Sequence, residues 1–350
     1  MRTIMTRMHA VSIVLVYAAN IFLLAGCKGE TVAEKSRTTE QGDPTPEVES
    51  VPAGPAELVV FHAGSLSIPF KELSALFEKR HPGVKVLAEA AGSRDTARKV
   101  SDLHRPCDVL GSADYRVVDN LLMPEHASFN IRFATNEMAI AYRDESRRAD
   151  EIGPENWHEI LLDEDVAFGR ADPNSDPCGY RTVMLFELAE LHFGVEGLAE
   201  RLEAKDGKRF IRPKETDLLS LLEAGEIDYL PIYRSVAAQH GLRMIELPDD
   251  MNLKSPAHAE TYAKAEVEVT GKKPGETITR RGAPIVYSVT IPKSSPSPKL
   301  AEEYVALLLS SEGRAIMEKN GQTPISPAVT SEPDALPNAL ADHCVGAGDR

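Results

Sequence analysis

The sequence has few of the residues from which disulfide scaffolds and zinc sites are built. It contains only four cysteines in 350 residues and no Cys-x-x-Cys motif, which is too few for a disulfide framework. Its ten histidines include no pair at the spacing that places two metal ligands on one helix face. P-loop, GxGxxG and GxSxG motifs are also missing, so the sequence predicts neither a nucleotide site of those kinds nor a nucleophile elbow.

Clustered positive charge is missing as well. The chain has 39 Lys and Arg residues against 54 Asp and Glu residues, for a formal net charge of −15. Binding to nucleic-acid phosphates requires clustered basic side chains, so nucleic acid is excluded as the main partner. Hydrophobic residues make up 42% and charged residues 27%, which is typical of a folded chain long enough for two or three domains.

Residues 1–26 are typical of a bacterial lipoprotein signal peptide. Arg2 and Arg7 form a positive segment ahead of residues 11–25, a largely apolar run of the length found in signal peptides and short for a membrane span. Small residues then precede Cys27. We expect Cys27 to be lipidated and to anchor the protein at the extracytoplasmic face of the membrane. An uncleaved anchor helix is the alternative.

Both ends of the chain beyond the signal have the composition of flexible segments. Residues 27–56 contain the lipidated Cys followed by a stretch without aromatic, Leu or Ile side chains, which predicts a tether that buries no core. Residues 327–350 are rich in Pro, Ala and Asp, and we expect a flexible C-terminal tail there.

Short apolar runs at 58–61, 84–87 and 107–110 are each followed by a Gly-Ser pair or a nearby equivalent and then by a helical pattern. This alternation predicts a parallel sheet whose ligands bind at the carboxyl ends of the strands. Glycine permits a tight turn there, and serine either caps the helix or donates its hydroxyl to an anion at the helix N-terminus. The repeated Ala-Gly-Ser favours Ser65 and Ser93 as anion donors, with Ser112 a weaker candidate.

The middle of the chain predicts a second lobe with two loops that carry acidic residues ahead of helices. Considered alone, Asp176 is typical of an Asx turn or a helix cap, and Glu215 occupies a favourable position at a helix start. Tyr233 follows an apolar strand and is compatible with core lining, while Asp172 competes with Asp176 for any role in binding.

Several segments together carry a family resemblance: FHAGSLSIPF, the second AGS, ADY, DPNSDPCGYR, KETDLL, DYLPIYRSVA and IVYSVTIPK, all behind the lipoprotein signal. This set resembles the tungstate/molybdate-binding lipoproteins (WtpA-type relatives of ModA), the substrate-binding components of ABC importers. The similarity covers about residues 58–325.

The resemblance implies an α/β, type II periplasmic-binding-protein fold with two α/β lobes joined by a two-strand hinge. Lobe 1 would comprise residues 57–133 and 285–326, and lobe 2 residues 134–284. The implied function is extracytoplasmic capture of tungstate or molybdate and delivery to the permease and ATPase subunits of an ABC transporter, by a monomer that is not an enzyme and needs no cofactor.

The resemblance also implies the roles of five residues. Asp176 and Glu215 would each supply a carboxylate oxygen to the Mo or W atom of the oxyanion. Hydroxyl groups of Ser65, Ser93 and Tyr233 would donate hydrogen bonds to its oxo groups.

Two other functions stay open. A sulfate- or phosphate-binding protein would use the same N–H and hydroxyl donors without carboxylates facing the anion. A hydrolase could use Asp176 and Glu215 as an acid/base pair, as glycosidases do. The aromatic content of 6%, with Trp157 the single tryptophan, disfavours a sugar-binding cleft.

Overall fold

The computed structural model describes residues 56–205, 208–273 and 275–349. The predicted signal peptide, Cys27 and the tether up to residue 55 lie outside the described residues. Within the described ranges, no helix is long and apolar enough to cross a membrane.

The described chain contains fourteen strands, most of them short. Their bounds are β1 Ala56–Ala63, β2 Val84–Ala91, β3 Val109–Ser112, β4 Ile131–Asn136, β5 Met138–Tyr142, β6 Arg170–Ala171, β7 Ile211–Arg212, β8 Tyr229–Tyr233, β9 Arg243–Glu246, β10 Glu266–Thr270, β11 Thr277–Arg281, β12 Ile285–Thr290, β13 Thr323–Thr330 and β14 Cys344–Gly346.

Twelve α-helices connect these strands in the described chain. Their bounds are α1 Ser67–Arg80, α2 Ser93–Ser101, α3 Tyr115–Leu121, α4 Trp157–Leu161, α5 Pro177–Phe193, α6 Leu198–Ala204, α7 Leu219–Glu223, α8 Arg234–Gln239, α9 Ala259–Tyr262, α10 Pro298–Leu309, α11 Ser311–Lys319 and α12 Asn338–Ala341. Short 3₁₀ turns precede several of them, including Gly64–Leu66 before α1 and Glu215–Leu218 before α7.

Seven strands form the larger sheet, in the order β14, β13, β4, β12, β3, β1, β2. Strand β1 pairs in parallel with β2 and with β3, as the alternation of strands and helices predicts. Strand β12, from much later in the chain, inserts antiparallel between β3 and β4. The sheet therefore combines the first βα units with a strand that returns from the second half of the protein.

Helices cover both faces of this sheet. Adjacent residues of β1 point to opposite sides, and β1 places an apolar side chain on each side. Val60 shares a buried cluster with Phe70 of α1 and Tyr304 of α10. Its neighbour Phe61 belongs to a separate buried cluster with Val100 of α2. Because both faces of the sheet are covered by apolar clusters, polar groups come together at the strand ends and in the turns that follow them.

A second, smaller sheet is fully antiparallel, in the order β8, β5, β9. It is accompanied by the hairpin β10–β11 and by the short parallel pair β6–β7. A single residue, Glu137, separates β4 of the larger sheet from β5 of the smaller one. The chain returns through residues 282–284 to β12, where Ile285 lies opposite Asn136.

The structure contradicts the predicted flexible tail at residues 327–350. Strand β13 pairs antiparallel with β4, and β14 pairs in parallel with β13. Ala328 and Leu340 are buried. Pro327 is accommodated because it lies in the stretch between Pro324 and Val329 where the register of β13 shifts, and proline is tolerated where the ladder is interrupted.

His62 in β1 makes the stability of the fold depend on pH. Its side chain is buried next to Ala63, whose carbonyl oxygen lies 2.8 Å from Nδ1. Burial lowers the pKa of His62 from 6.5 to about 4. Below pH 6.5 the unfolded chain therefore takes up a proton that the folded chain does not, and stability is lost as the pH falls toward 4.

We predict that His62→Gln reduces the acid sensitivity of the fold. Between pH 7 and pH 5 the free energy of unfolding of the unmodified protein should fall by about 2 kcal/mol more than that of the variant. Urea unfolding at the two pH values measures the difference, with the exposed His240→Gln as the matched control. Equal losses in His62→Gln and the unmodified protein would contradict the prediction.

Candidate functional site

Asp176 joins two loops that are distant in sequence. It is the N-cap of α5, where its Oδ1 accepts a hydrogen bond of 2.8 Å from the backbone N–H of Cys178. Its Oδ2 accepts a bond of 3.0 Å from the backbone N–H of Glu215. The predicted cap is therefore present, and the same carboxylate also places the start of the 215–218 turn against the start of α5.

Glu215 brings a second carboxylate to the same place. Its side chain is only 1% exposed, and neither carboxylate oxygen has a hydrogen-bond partner among the described residues. Burial, reinforced by the neighbouring Asp176, raises the pKa of Glu215 well above its usual value. A buried carboxyl group without a partner is costly to the fold, so Glu215 is a candidate for direct contact with a ligand.

The turn after β1 lies directly against Glu215. A Cβ atom on Gly64 would come within 2.7 Å of Glu215 Oε2, closer than real side chains approach. The glycine before Ser65 therefore permits this close approach, in addition to any role in the turn. It brings Ser65 next to the carboxylate pair.

The three predicted hydroxyl donors are all fully buried, and each accepts one hydrogen bond from a fixed donor. Tyr287 O–H donates to Ser65 Oγ at 2.9 Å. The backbone N–H of Ala113 donates to Ser93 Oγ at 3.0 Å. Arg181 Nη1 donates to the Tyr233 hydroxyl at 2.7 Å.

These contacts bring the five predicted residues into one buried cluster. The ring of Tyr233 lies 6.1 Å from that of Tyr287, the residue bonded to Ser65. Arg181 Nη1 also donates to the carbonyl of Ala113 at 2.8 Å, which connects the surroundings of Ser93 to Tyr233. Their roles in binding remain predictions, but their proximity matches what such a site requires.

Ser112 and Asp172, the weaker candidates from the sequence, make hydrogen bonds within their own turns. Ser112 Oγ donates to the carbonyl of Asp114 at 2.7 Å and accepts from its N–H at 3.2 Å, so it braces the turn before α3. Asp172 Oδ1 accepts from the N–H of Asn174 at 2.8 Å, as an Asx turn does.

Arg181 is the main component of the site that the sequence did not indicate. Its side chain is 1% exposed, and its Nη2 lies 3.4 Å from Asp114 Oδ2. The same oxygen accepts a hydrogen bond of 2.6 Å from the Tyr180 hydroxyl. Burial opposes ionisation of Asp114, but Arg116, Arg181 and Arg280 together bring its pKa below the usual range. Asp114 is thus an anion that balances the buried Arg181.

A signal for Arg181 was present in the pattern of α5. The residue lies on the same helical face as Leu185 and Leu188, both buried. A guanidinium on an apolar face is retained only with buried partners, which predicts a polar contact without identifying it.

The segments that carry Ser93 and Asp176 are in backbone contact. A Cβ atom on Gly92 would lie 2.2 Å from the carbonyl oxygen of Ser175, and the N–H of Arg94 donates to that oxygen at 3.1 Å. Arg94 Nε also donates to the carbonyl of Asn174 at 3.0 Å. The start of α2 and the loop before α5 therefore enclose the cluster from two sides.

The acidic side chains described in the cluster are those of Asp176 and Glu215. Over the described ranges, no group of three or more His, Cys, Asp or Glu side chains could hold one. Two carboxylates surrounded by hydroxyl donors suit instead a ligand that has both electropositive and hydrogen-bond-accepting atoms.

The chain has clear relatives. Residues 58–323 match the family model of the bacterial extracellular solute-binding proteins. The chain is 50% identical over 290 residues to an uncharacterized solute-binding protein of Petrotoga mobilis, covering 83% of this chain and 90% of that protein. It is 41% identical over 337 residues to the molybdate/tungstate-binding protein WtpA of Pyrococcus abyssi, covering 89% and 92% of the two chains.

Solved structures confirm the predicted α/β periplasmic-binding-protein fold. The sulfate-binding protein SubI of Mycobacterium tuberculosis superposes with a TM-score of 0.57 at 12% identity, covering 84% of this chain and 95% of that one. The periplasmic molybdate-binding protein of Azotobacter vinelandii gives a TM-score of 0.52 at 18% identity, covering 76% and 98%. At these identities the likeness concerns the fold alone.

Proposed function

The chain belongs to the family of bacterial extracellular solute-binding proteins, and we propose that its solute is molybdate or tungstate, delivered to an ABC transporter. The relative from Pyrococcus abyssi is named for binding both oxyanions and matches this chain over 89% of its length. Family membership makes the chain a binding protein and removes the hydrolase from consideration.

The observation that carries the proposal is the buried, unpartnered carboxylate of Glu215 beside Asp176. In their ionised form, two adjacent carboxylates would repel any dianion that offered them only oxygen atoms, and the repulsion is large where water is excluded. Molybdenum and tungsten can expand from four to six oxygen ligands, and hard oxygen donors suit such centres. One oxygen from each carboxylate would then complete the metal's coordination, while Ser65, Ser93 and Tyr233 donate to the oxo groups.

Sulfate is the second candidate among oxyanions, and the same carboxylates disfavour it. Its sulfur does not form a stable six-coordinate species, so the repulsion from Asp176 and Glu215 has nothing to offset it. The carboxylates would therefore both attract the intended ligand and reject a common competitor of equal charge.

We further propose that the two sheets belong to two lobes that close over the ligand about the β4–β5 and β11–β12 connections. Ser65 and Ser93 come from the larger sheet, whereas Asp176, Glu215 and Tyr233 come from the segments around the smaller one. Ligand contacts from both sides would shift the population toward the closed form. The contact between Gly92 and Ser175 is part of that closed form.

The extracytoplasmic location of the family fits a lipid anchor at Cys27, which we propose from the signal sequence. An anchored binding protein would remain close to the permease and ATPase subunits that it supplies.

We predict that Glu215→Gln lowers the ratio of tungstate affinity to sulfate affinity by at least about tenfold, which corresponds to about 1.4 kcal/mol. The amide removes a ligand of the metal but also relieves repulsion, so tungstate should bind more weakly while sulfate binds equally or better. Titration calorimetry with tungstate, molybdate and sulfate on the ligand-free protein measures the ratio.

Asp176→Asn should lower the same ratio, with an added loss of stability because one of two backbone N–H groups loses its acceptor. Asp172→Asn, in the same loop, is the matched control and should leave the ratio unchanged. A ratio that stays constant in folded Glu215→Gln and Asp176→Asn would show that the two carboxylates are not metal ligands.

We predict that saturating tungstate lowers the radius of gyration of the unmodified protein and does so less in Gly92→Ala. The added methyl group would lie against the Ser175 carbonyl and oppose closure. Small-angle scattering with and without tungstate measures the change. Gly153→Ala, where a Cβ atom has room, is the control. Identical compaction in Gly92→Ala and the control would contradict closure at this contact.

We predict that Cys27→Ser releases the full-length protein from the membrane fraction. The substitution removes the thiol to which lipid would be attached. Fractionation of expressing cells, with incorporation of labelled palmitate as a second readout, tests it, and Cys344→Ser is the control. Unchanged palmitate labelling of Cys27→Ser would exclude this anchor.

A further inference from the structure

The Ser65 hydroxyl lies at the end of a chain of hydrogen bonds whose direction is fixed. Asn136 Nδ2 donates to the Tyr287 hydroxyl at 2.9 Å, and Tyr287 O–H donates to Ser65 Oγ at 2.9 Å. All three residues are buried, with Asn136 6% exposed and the other two fully enclosed. We refer to Asn136, Tyr287 and Ser65 as the relay.

Backbone groups determine the direction of the relay. The Oδ1 atom of Asn136 accepts from the N–H of Glu137 at 2.9 Å and from the N–H of Ser235 at 3.4 Å. A backbone N–H only donates, so the amide of Asn136 must present its oxygen to these groups and its nitrogen to Tyr287. The Tyr287 oxygen then accepts, which leaves its proton for Ser65.

The Ser65 hydroxyl is therefore free to donate a hydrogen bond to a ligand. Its oxygen accepts from Tyr287, and no residue of the described ranges accepts a hydrogen bond from its hydroxyl. The adjacent Gly64 is packed against the unpartnered carboxylate of Glu215, so the Ser65 proton is available on the side of the carboxylate pair. An oxo group accepts hydrogen bonds and donates none, so this is the proton it requires.

We propose that Tyr287, oriented by Asn136, is a positioning residue that holds the Ser65 hydroxyl as a donor to the bound oxyanion. The inference rests on the proposed function, because it assigns the Ser65 proton to an oxo group of the ligand. Without the relay, the hydroxyl would rotate among several orientations, and binding would have to order it.

The relay also begins at the crossing between the two sheets. Asn136 is the last residue of β4, and its Oδ1 holds the N–H of Glu137, the residue that precedes β5. Glu137 in turn pairs with Arg234 at 3.5 Å and with Lys254 at 3.2 Å. The orientation of a ligand donor is thus tied to the backbone of the connection about which the proposed lobes would move.

The test is a double-mutant cycle that separates action through Ser65 from general damage. Tyr287→Phe removes only the hydroxyl oxygen and should weaken tungstate binding by about five- to tenfold. In the Ser65→Ala background the same substitution should change the affinity by less than about twofold, because the group on which it acts is gone. Calorimetry gives the four affinities, and thermal unfolding without ligand verifies that each variant is folded.

Two further variants complete the design. Tyr304→Phe is the matched control, since Tyr304 is equally buried and its hydroxyl is also bonded to a serine, Ser74, at 3.0 Å; tungstate affinity should not change. Asn136→Asp keeps an acceptor for the backbone but replaces the donor, so the Tyr287 proton would turn toward the carboxylate. Asn136→Asp should weaken tungstate binding more than Tyr287→Phe does. The part of that loss of affinity that acts through Ser65 should disappear in the Ser65→Ala background.

The outcomes distinguish this inference from the proposed function. Tyr287→Phe could lower the tungstate affinity equally with and without the Ser65 hydroxyl, or not lower it in either background. Either result would contradict the proposed role of the relay, while oxyanion binding itself would stand. If Tyr287→Phe does not fold, the Asn136→Asp cycle gives the same decision. If the unmodified protein binds none of tungstate, molybdate and sulfate, both the proposed function and the relay are wrong.

Discussion

The position of nearly every group in the site depends on the two hydrogen bonds that Asp176 accepts. One of its oxygens holds the first turn of α5 and the other holds the backbone of Glu215. Through α5, the carboxylate sets the position of Arg181, which reaches Tyr233 and Ala113. Through Glu215, it brings the second carboxylate against the turn that carries Ser65. The residue that caps α5 thus also connects α5 to the turn that carries Glu215.

The site handles charge without an exposed cluster of cations, in a chain of net charge −15. The guanidinium of Arg181, which donates to the Tyr233 hydroxyl, is buried against Asp114. The remaining donors are hydroxyl groups whose lone pairs are already engaged by Tyr287, Ala113 and Arg181. Neutral donors held in place by buried partners lose little entropy on binding, and in the proposed site they leave the two carboxylates as the groups that would distinguish one dianion from another.

The sequence predicted the first βα units and the placement of Ser65 and Ser93 at strand ends because those features depend on local alternation and turn chemistry. Asp176, Glu215 and Tyr233 required the family resemblance, because a cap, a helix start and a core tyrosine look the same whether or not a ligand is near. The partners of the hydroxyls could not be predicted at all. Tyr287 is 222 positions from Ser65, and only the return of β12 into the sheet brings them together. The tail was predicted wrongly, since composition does not show that Pro327 lies within a register shift of a paired strand.

Strand β1 has eight residues, and at about 3.3 Å per residue it separates its two ends by roughly 25 Å. Ala56 stands at one end, while Gly64 and Ser65 follow the other. The described body therefore begins at the end of β1 remote from the proposed oxyanion site.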